Sequence, residues 1–83
     1  MADLASEIAG LVEVLVTPLI DNPDDLDIQA AIEGNVVYID VQVNADDAGK
    51  VIGRQGRVIK AIRTLARAAA SKEGMQVEVE LID

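Results

Sequence analysis

The chain has 83 residues, of which 51% are apolar, so it can build one small core; we predict a single domain over residues 1–83 and exclude a disordered chain. It contains no Cys and no His, which excludes a disulfide framework and a thiolate metal site and removes the commonest general base. The net charge of −8, taken alone, argues against a nucleic acid partner.

The N-terminal segment predicts an amphipathic helix and not an export signal. Between residues 4 and 19 apolar side chains recur every three or four positions, Asp3 is a candidate N-cap, and Pro23 closes the segment. No basic region precedes this run. Glu7 and Glu13 interrupt it before the roughly 20 apolar residues that span a bilayer are reached. We therefore expect a cytoplasmic protein that does not associate with membranes.

The remaining elements alternate between strand and helix patterns. Apolar residues alternate over 26–32 and again over 37–43, with a turn at 33–35, which predicts a β-hairpin. A short helix through Val51 and Ile52 follows N-cap candidates at 44–47; a longer helix runs from about Arg57 to Lys72, and Gly74 ends it. A last strand alternates over 77–81. These elements predict an α+β fold of order α-β-β-α-α-β, a three-stranded sheet with helices packed on one face.

The long helix is predicted to separate an apolar face from a basic face. The apolar arc, about 120° wide, contains Val58, Ile59, Ile62, Leu65, Ala66 and Ala69. The other arc contains Arg57, Lys60, Arg63 and Arg67. All seven basic residues of the chain lie within 50–72 and all fifteen acids lie outside, so this window carries +7 and the rest carries −15. A phosphate chain would meet this local positive field, which reverses the conclusion from the net charge.

The loop Gly53-Arg54-Gln55-Gly56 has the residues needed to hold a sugar-phosphate chain. Glycine permits backbone conformations closed to other residues and removes a side chain that would block close approach. The helix behind the loop presents free N–H groups and a positive dipole end, while arginines supply charge-assisted hydrogen bonds. Such contacts position a strand without reading its bases. The predicted RNA-binding residues are Lys50, Ile52, Gly53, Arg54, Gln55, Gly56, Arg57 and Lys60.

This loop, in this order of elements, resembles the type II KH domain, whose GxxG loop clamps about four backbone nucleotides. Residues 16–23 (VTPLIDNP), 47–57 (DAGKVIGRQGR) and 62–65 (IRTL) resemble the KhpA (YlqC) family of small bacterial single-KH proteins, over nearly the whole chain. The resemblance implies a cytoplasmic single-stranded RNA-binding protein that acts as an RNA chaperone. It also implies pairing with a larger KH-containing protein, KhpB, and a link to cell-envelope and cell-length control.

A single copy of such a loop predicts weak binding, because its footprint is about four nucleotides and its charge contacts are few. Useful affinity would then require a homodimer or a second KH-bearing partner, either of which raises the effective concentration. The one aromatic residue, Tyr38, cannot supply the stacking platform on which other single-strand binders depend.

Several alternatives stay open. Two glycines at this spacing arise often by chance, and the basic helix face could be an ordinary solvated face that pairs across space with Asp46 or Asp47. The KH shape could serve mainly as a protein-interaction adaptor, or the loop could bind a mononucleotide or another small anion. The loop matches neither a Walker phosphate loop nor a dinucleotide fingerprint, and nucleophile motifs are lacking, so we predict no enzyme. The acidic run at 24–27 lacks the pattern of an EF-hand, so we predict neither a metal ion nor another cofactor.

Overall fold

The computed structural model describes residues 3–82, and the elements it contains confirm the predicted α-β-β-α-α-β order. In chain order they are α1 (Leu4–Val16), β1 (Asp27–Glu33), β2 (Val36–Gln42), α2 (Ala48–Ile52), α3 (Arg57–Ser71) and β3 (Gln76–Ile82). Single 3-10 turns occupy 17–19, 23–25, 45–47 and 54–56. No helix in the described range is long and apolar enough to cross a membrane.

The sheet has the strand order β1-β2-β3 and contains one antiparallel and one parallel pair. The two-residue turn Gly34-Asn35 joins β1 to β2 as a hairpin. Because β2 and β3 are parallel, the chain must cross from one end of the sheet to the other between them. Helix α2, the glycine loop and α3 form that crossover, and the N–H of Gln76 then donates to the carbonyl of Asn35 at 2.8 Å.

The core lies between one face of the sheet and the helices. Alternate residues of β2 and β3 are buried, as the predicted period of two requires: Val37, Ile39, Val41, Val77 and Val79. The helices bury one stripe each, at Ile8, Val12 and Val16 in α1 and at Ile59, Ile62, Ala66 and Ala70 in α3. Two alanines in the α3 stripe leave room for α1, which packs against both α3 and the sheet.

Two parts of the apolar pattern are less buried than the sequence predicts. The spacing predicts Leu65 on the core face of α3, but Leu65 is 48% exposed. The buried stripe of the helix includes Ala70 instead. In β1 only Ile28 is half-buried, and Ala30 and Ile32 are exposed. β1 is one of the two edge strands, and among the helices its contacts are chiefly with α1, so most of its inward face stays open.

The predicted helix ends are confirmed by hydrogen bonds. The Asp3 carboxylate accepts from the N–H of Ser6 at 2.8 Å, which caps the first turn of α1. At the end of α3, Gly74 has φ 70°, and the N–H of Met75 reaches back to the carbonyl of Ala70 at 3.0 Å. A glycine is needed there because the left-handed conformation strains other residues.

We predict that Ile39→Ala lowers the free energy of unfolding by about 2–5 kcal/mol, because it leaves a cavity at the centre of the sheet. The matched control is Ile32→Ala, since Ile32 is 46% exposed on the neighbouring strand and its loss costs well under about 1 kcal/mol. Urea unfolding followed by circular dichroism measures both values. Equal losses would contradict the assignment of the core.

Candidate nucleic-acid interface

The loop between α2 and α3 contains only four residues, Gly53–Gly56. The N–H of Gly53 donates to the carbonyl of Gly49 at 2.9 Å, which ends α2, and the N–H of Gly56 donates to the carbonyl of Gly53 at 3.1 Å. Three of the four loop residues have positive φ: Gly53 at 77°, Gln55 at 57° and Gly56 at 73°. Gln55 is the only non-glycine with positive φ among residues 3–82. The loop is therefore a tight, conformationally restricted turn.

The two glycines of the loop meet different requirements. A Cβ on Gly53 would lie 2.3 Å from Cγ2 of Val58 and 2.9 Å from its backbone nitrogen, so the loop rests directly on the first turn of α3. A Cβ on Gly56 would come no closer than 4.0 Å to Ile59 and Lys60. The close approach made possible at Gly53 is thus within the chain, whereas the backbone at Gly56 is the part open to an external ligand.

Polar and basic side chains surround this open backbone. Arg54, Gln55, Arg57 and Lys60 are exposed, and Nη2 of Arg57 donates to Oε1 of Gln55 at 3.2 Å. Ile52, the last residue of α2, is 39% exposed and adds an apolar contact surface beside the loop. In the part of the chain that the structure describes, the three cations of this group form no ion pair with a carboxylate. The predicted site residues from Ile52 to Lys60 therefore lie together at one surface.

Lys50 lies in a different environment from these cations. Its ammonium pairs with the carboxylate of Asp21 and, at 3.2 Å, with Oδ1 of Asp47. Asp21 first, and Asp47 after it, raise the pKa of Lys50 above its ordinary value. Phosphate binding by Lys50 stays a prediction, and it would have to compete with these two ion pairs.

Asp47 has an anchoring role that sequence reasoning missed. Its carboxylate is fully buried and accepts hydrogen bonds from the N–H of Asp21 at 3.0 Å and from Asn22, whose N–H lies at 3.0 Å and Nδ2 at 3.2 Å. The sequence predicted it only as an N-cap candidate or a partner of the basic helix. Asp47 does hold the N-cap position of α2, but its side chain makes no cap hydrogen bond there, and Asn44 caps the preceding turn. The partners lie 25 and 26 residues away, so no local pattern could identify them.

These hydrogen bonds change the acidity of Asp47. The pKa of the carboxyl is lowered from 3.8 to about 2, and the backbone N–H of Asp21 makes the largest contribution. Contacts with Asn22 and Lys50 contribute to the same shift, which burial opposes. The carboxylate is thus held in its charged form where it joins the end of the α1 segment to the start of α2.

The basic face of α3 divides into two kinds of residue. Arg63 is half-buried, and its Nε donates to the backbone carbonyl of Val79 at 3.0 Å, so this guanidinium supports the packing of α3 on the edge strand β3. Arg67 is exposed beside Ser71 and Val77. Within residues 3–82 no cluster of three or more His, Cys, Asp or Glu side chains has a geometry that could hold a metal ion.

We predict that Gly53→Ala destabilises the protein more than Gly56→Ala. Both substitutions place a Cβ on a residue with positive φ, at a cost of about 1–2 kcal/mol. Only the change at Gly53 also forces the new carbon into Val58, which adds about 1–3 kcal/mol. The midpoints of urea unfolding compare the two variants directly. A Gly56→Ala variant that is the less stable of the two would contradict the geometry of the loop.

A second prediction concerns pH. Because the pKa of Asp47 is lower in the folded protein, its contribution to stability is complete above about pH 4 and is lost as the pH falls toward 2. The free energy of unfolding of Asp47→Asn should therefore fall less than that of the parent protein over this range. Urea unfolding at several pH values measures both, with Asp46→Asn at the exposed neighbouring position as the control. Parallel pH profiles for Asp47→Asn and the parent protein would contradict the assignment.

The KhpA/KhpB KH domain model matches residues 9–81 of the chain. RNA-binding protein KhpA of Clostridium perfringens is 43% identical over 72 residues, covering 87% of this chain and 96% of that protein. RNA-binding protein KhpA of Bacillus subtilis is 40% identical over 73 residues, covering 88% and 90%. RNA-binding protein KhpA of Borreliella burgdorferi is 35% identical over all 83 residues and the whole of both chains.

Among solved structures, Aquifex aeolicus Era bound to GDP and aluminium fluoride matches with a TM-score of 0.70 and 20% identity. That match covers 98% of this chain but only 31% of the Era chain. Era in complex with MgGDPNP and a segment of 16S ribosomal RNA matches with a TM-score of 0.68 and 22% identity, over 96% of this chain and 30% of Era. At this identity the likeness to Era concerns the fold alone.

These comparisons confirm the predicted family and fold class. The matched region contains the glycine loop, both flanking helices and nearly the whole sheet. They also confirm the prediction of a non-enzymatic protein, because the relatives are named for RNA binding and the family is one of KH domains. The chain belongs to the KhpA/KhpB family of KH domains.

Proposed function

We propose that this protein binds single-stranded RNA by gripping the sugar-phosphate chain at its glycine loop. The observation that carries the proposal is the open backbone at Gly56, surrounded by Arg54, Arg57 and Lys60, which have no carboxylate partner among residues 3–82. In this proposal the three cations hold phosphates, the backbone at Gly56 allows close approach, and Gln55 adds uncharged polar contacts. Ile52 supplies an apolar surface against which a base can pack.

The start of α3 supports an anionic ligand at the same place. No side chain caps this helix, and its N-cap residue is Gly56, which has no side chain to offer. The N–H groups of a first helical turn lack partners within the helix and stand at the positive end of its dipole. A phosphate at Gly56 would accept hydrogen bonds from these N–H groups and would lie at the positive end of the dipole. The neighbouring guanidinium groups would add charge-assisted hydrogen bonds.

The proposed contacts are almost entirely with the backbone of the RNA, so we propose binding with limited sequence preference. Such binding suits an RNA chaperone in the cytoplasm, which must engage many strands briefly. The relatives named RNA-binding protein KhpA support this proposal. Affinity would come from a second KH module, either in a homodimer or in a larger KH-containing partner, because linking two weak sites raises the effective concentration of each.

We predict that replacing Arg54 and Gln55 together with Asp abolishes RNA binding and preserves the fold. Both side chains are exposed, and Asp tolerates the positive φ of residue 55 better than most residues do. The matched control replaces Lys72 and Gln76 with Asp, which makes the same charge change. Lys72 follows the last residue of α3, about 20 Å from the loop at 1.5 Å per residue, and Gln76 begins β3. Circular dichroism checks the fold, and fluorescence anisotropy with a labelled oligonucleotide measures binding.

Titrations at two or more salt concentrations separate this function from its alternatives. RNA binding predicts that log affinity falls with log salt by about 0.7 per phosphate contacted. Saturable binding that survives both loop substitutions would contradict the loop assignment. Absence of saturable binding at low salt, alone or with a KH partner, would favour a protein-interaction adaptor, and equal competition by a mononucleotide would favour a small-anion site.

A further inference from the structure

The short helix α2 carries the glycine loop and depends on its tertiary contacts for its orientation. It contains five residues, fewer than an isolated helix needs to be stable in water. Its buried apolar residues are Ala48 and Val51, and its C-terminal end continues directly into Gly53. The direction of the loop therefore depends on the packing of Val51 and of Gly53 against α3, and also on what fixes the N-terminal end of α2.

Asp47 fixes that end by accepting four hydrogen bonds, three from the segment that follows α1 and one from Lys50 within α2. Both carboxylate oxygens accept from the segment that follows α1, where Asp21 and Asn22 present consecutive backbone N–H groups. Lys50, three residues further on, donates to Oδ1 of Asp47 and also bridges to Asp21. The side chain of Lys50 thus links the first turn of α2 to Asp47 and to Asp21 in the segment that follows α1.

The same cluster is a poor place for a phosphate. Asp21 and Asp47 contribute two negative charges and Lys50 one positive charge, which leaves −1 at the start of α2. Withdrawing the ammonium to reach RNA would leave the buried Asp47 carboxylate with one partner fewer, and buried charges that lose a partner are strongly destabilising. Lys60, on the other side of the loop, forms no such pair among the described residues.

We propose that Asp47 and Lys50 are positioning residues, which hold α2 and the loop it carries in the orientation that accepts RNA, and that Lys50 does not contact a phosphate. The second part rests on the RNA binding proposed above. The proposal separates two lysines that sequence reasoning placed in one binding set. Lys60 would bind a phosphate of the RNA, and Lys50 would hold the loop in its orientation.

The first experiment compares Lys50→Met with Lys60→Met, the same substitution on the two sides of the loop. Affinity for a labelled single-stranded oligonucleotide is measured at several salt concentrations for the parent protein and both variants. Lys60→Met should reduce the slope of log affinity on log salt by about 0.7, because one phosphate contact is lost. Lys50→Met should weaken binding by the same factor at every salt concentration, which leaves the slope unchanged, and Lys50→Arg should restore most of the affinity. A slope reduced by about 0.7 in Lys50→Met would overturn the proposal.

The second experiment needs no RNA and uses native-state hydrogen exchange of backbone amides. Positioning predicts that Asp47→Asn and Lys50→Met accelerate exchange at Gly53 and Gly56 by a larger factor than at Ile39 in the central strand. A role limited to global stability would accelerate all three amides together, because they would then exchange through the same unfolding. Equal acceleration would overturn the positioning role. If Asp47→Asn does not fold, Lys50→Met decides the result alone, since Lys50 is partly exposed.

The two experiments also separate this inference from the proposed function. If the parent protein binds no RNA, the proposed function fails, but hydrogen exchange still decides whether Asp47 and Lys50 position the loop. If RNA binds and both lysine variants keep the parent slope, Lys60 is not a phosphate contact, and the assignment of Lys50 is unaffected. If the loop amides respond and the Lys50→Met slope falls, Lys50 both positions and binds, which contradicts the proposal.

Discussion

The parallel pairing of β2 with β3 determines where everything else lies. Two adjacent parallel strands cannot be joined by a tight turn, so residues 43–75 must travel back across the sheet before β3 begins. That crossover contains α2, the loop and α3, and it contains all seven basic residues of the chain. The uneven charge distribution in the sequence is therefore also a spatial one, because the cations belong to the crossover layer.

Twelve of the fifteen acids lie outside this crossover, which contains Asp46, Asp47 and Glu73, and several of them lie on the sheet face turned away from the helices. Alternation in the strands buries Val37, Ile39 and Val79 and leaves carboxylates on the other face, at Asp27, Glu33, Asp40, Glu78 and Glu80. An RNA strand approaching that face meets repulsion, whereas one approaching the crossover meets the loop and α3. A strongly negative protein can thus present one positive surface. Repulsion by the acidic sheet face favours approach of a polyanion to the crossover layer.

Most of the fold could be predicted from the sequence because its signals are local. Periods of two and of about 3.6 locate the strands and helices, and Asp3 and Gly74 mark helix ends that the hydrogen bonds confirm. The positions of Leu65 and Ile32 could not be predicted, since their exposure depends on how far α1 and its neighbours extend over the sheet. Arg63 likewise has the spacing of a basic-face residue, and only the proximity of β3 turns its Nε toward Val79.

The candidate site shows the same limit more sharply. Gly53, Arg54 and Gly56 form a local motif that the sequence reveals, but Asp47, which we propose orients the loop, binds backbone groups that are distant in sequence. A buried carboxylate is not an efficient source of stability, because an apolar group of similar size avoids the cost of burying charge. The carboxylate instead makes directional hydrogen bonds. An apolar side chain at position 47 could fill the space, but it would not select one arrangement of the Asp21-Asn22 segment. We infer that the loop needs a defined orientation more than it needs additional stability, and that the charged anchor meets this need.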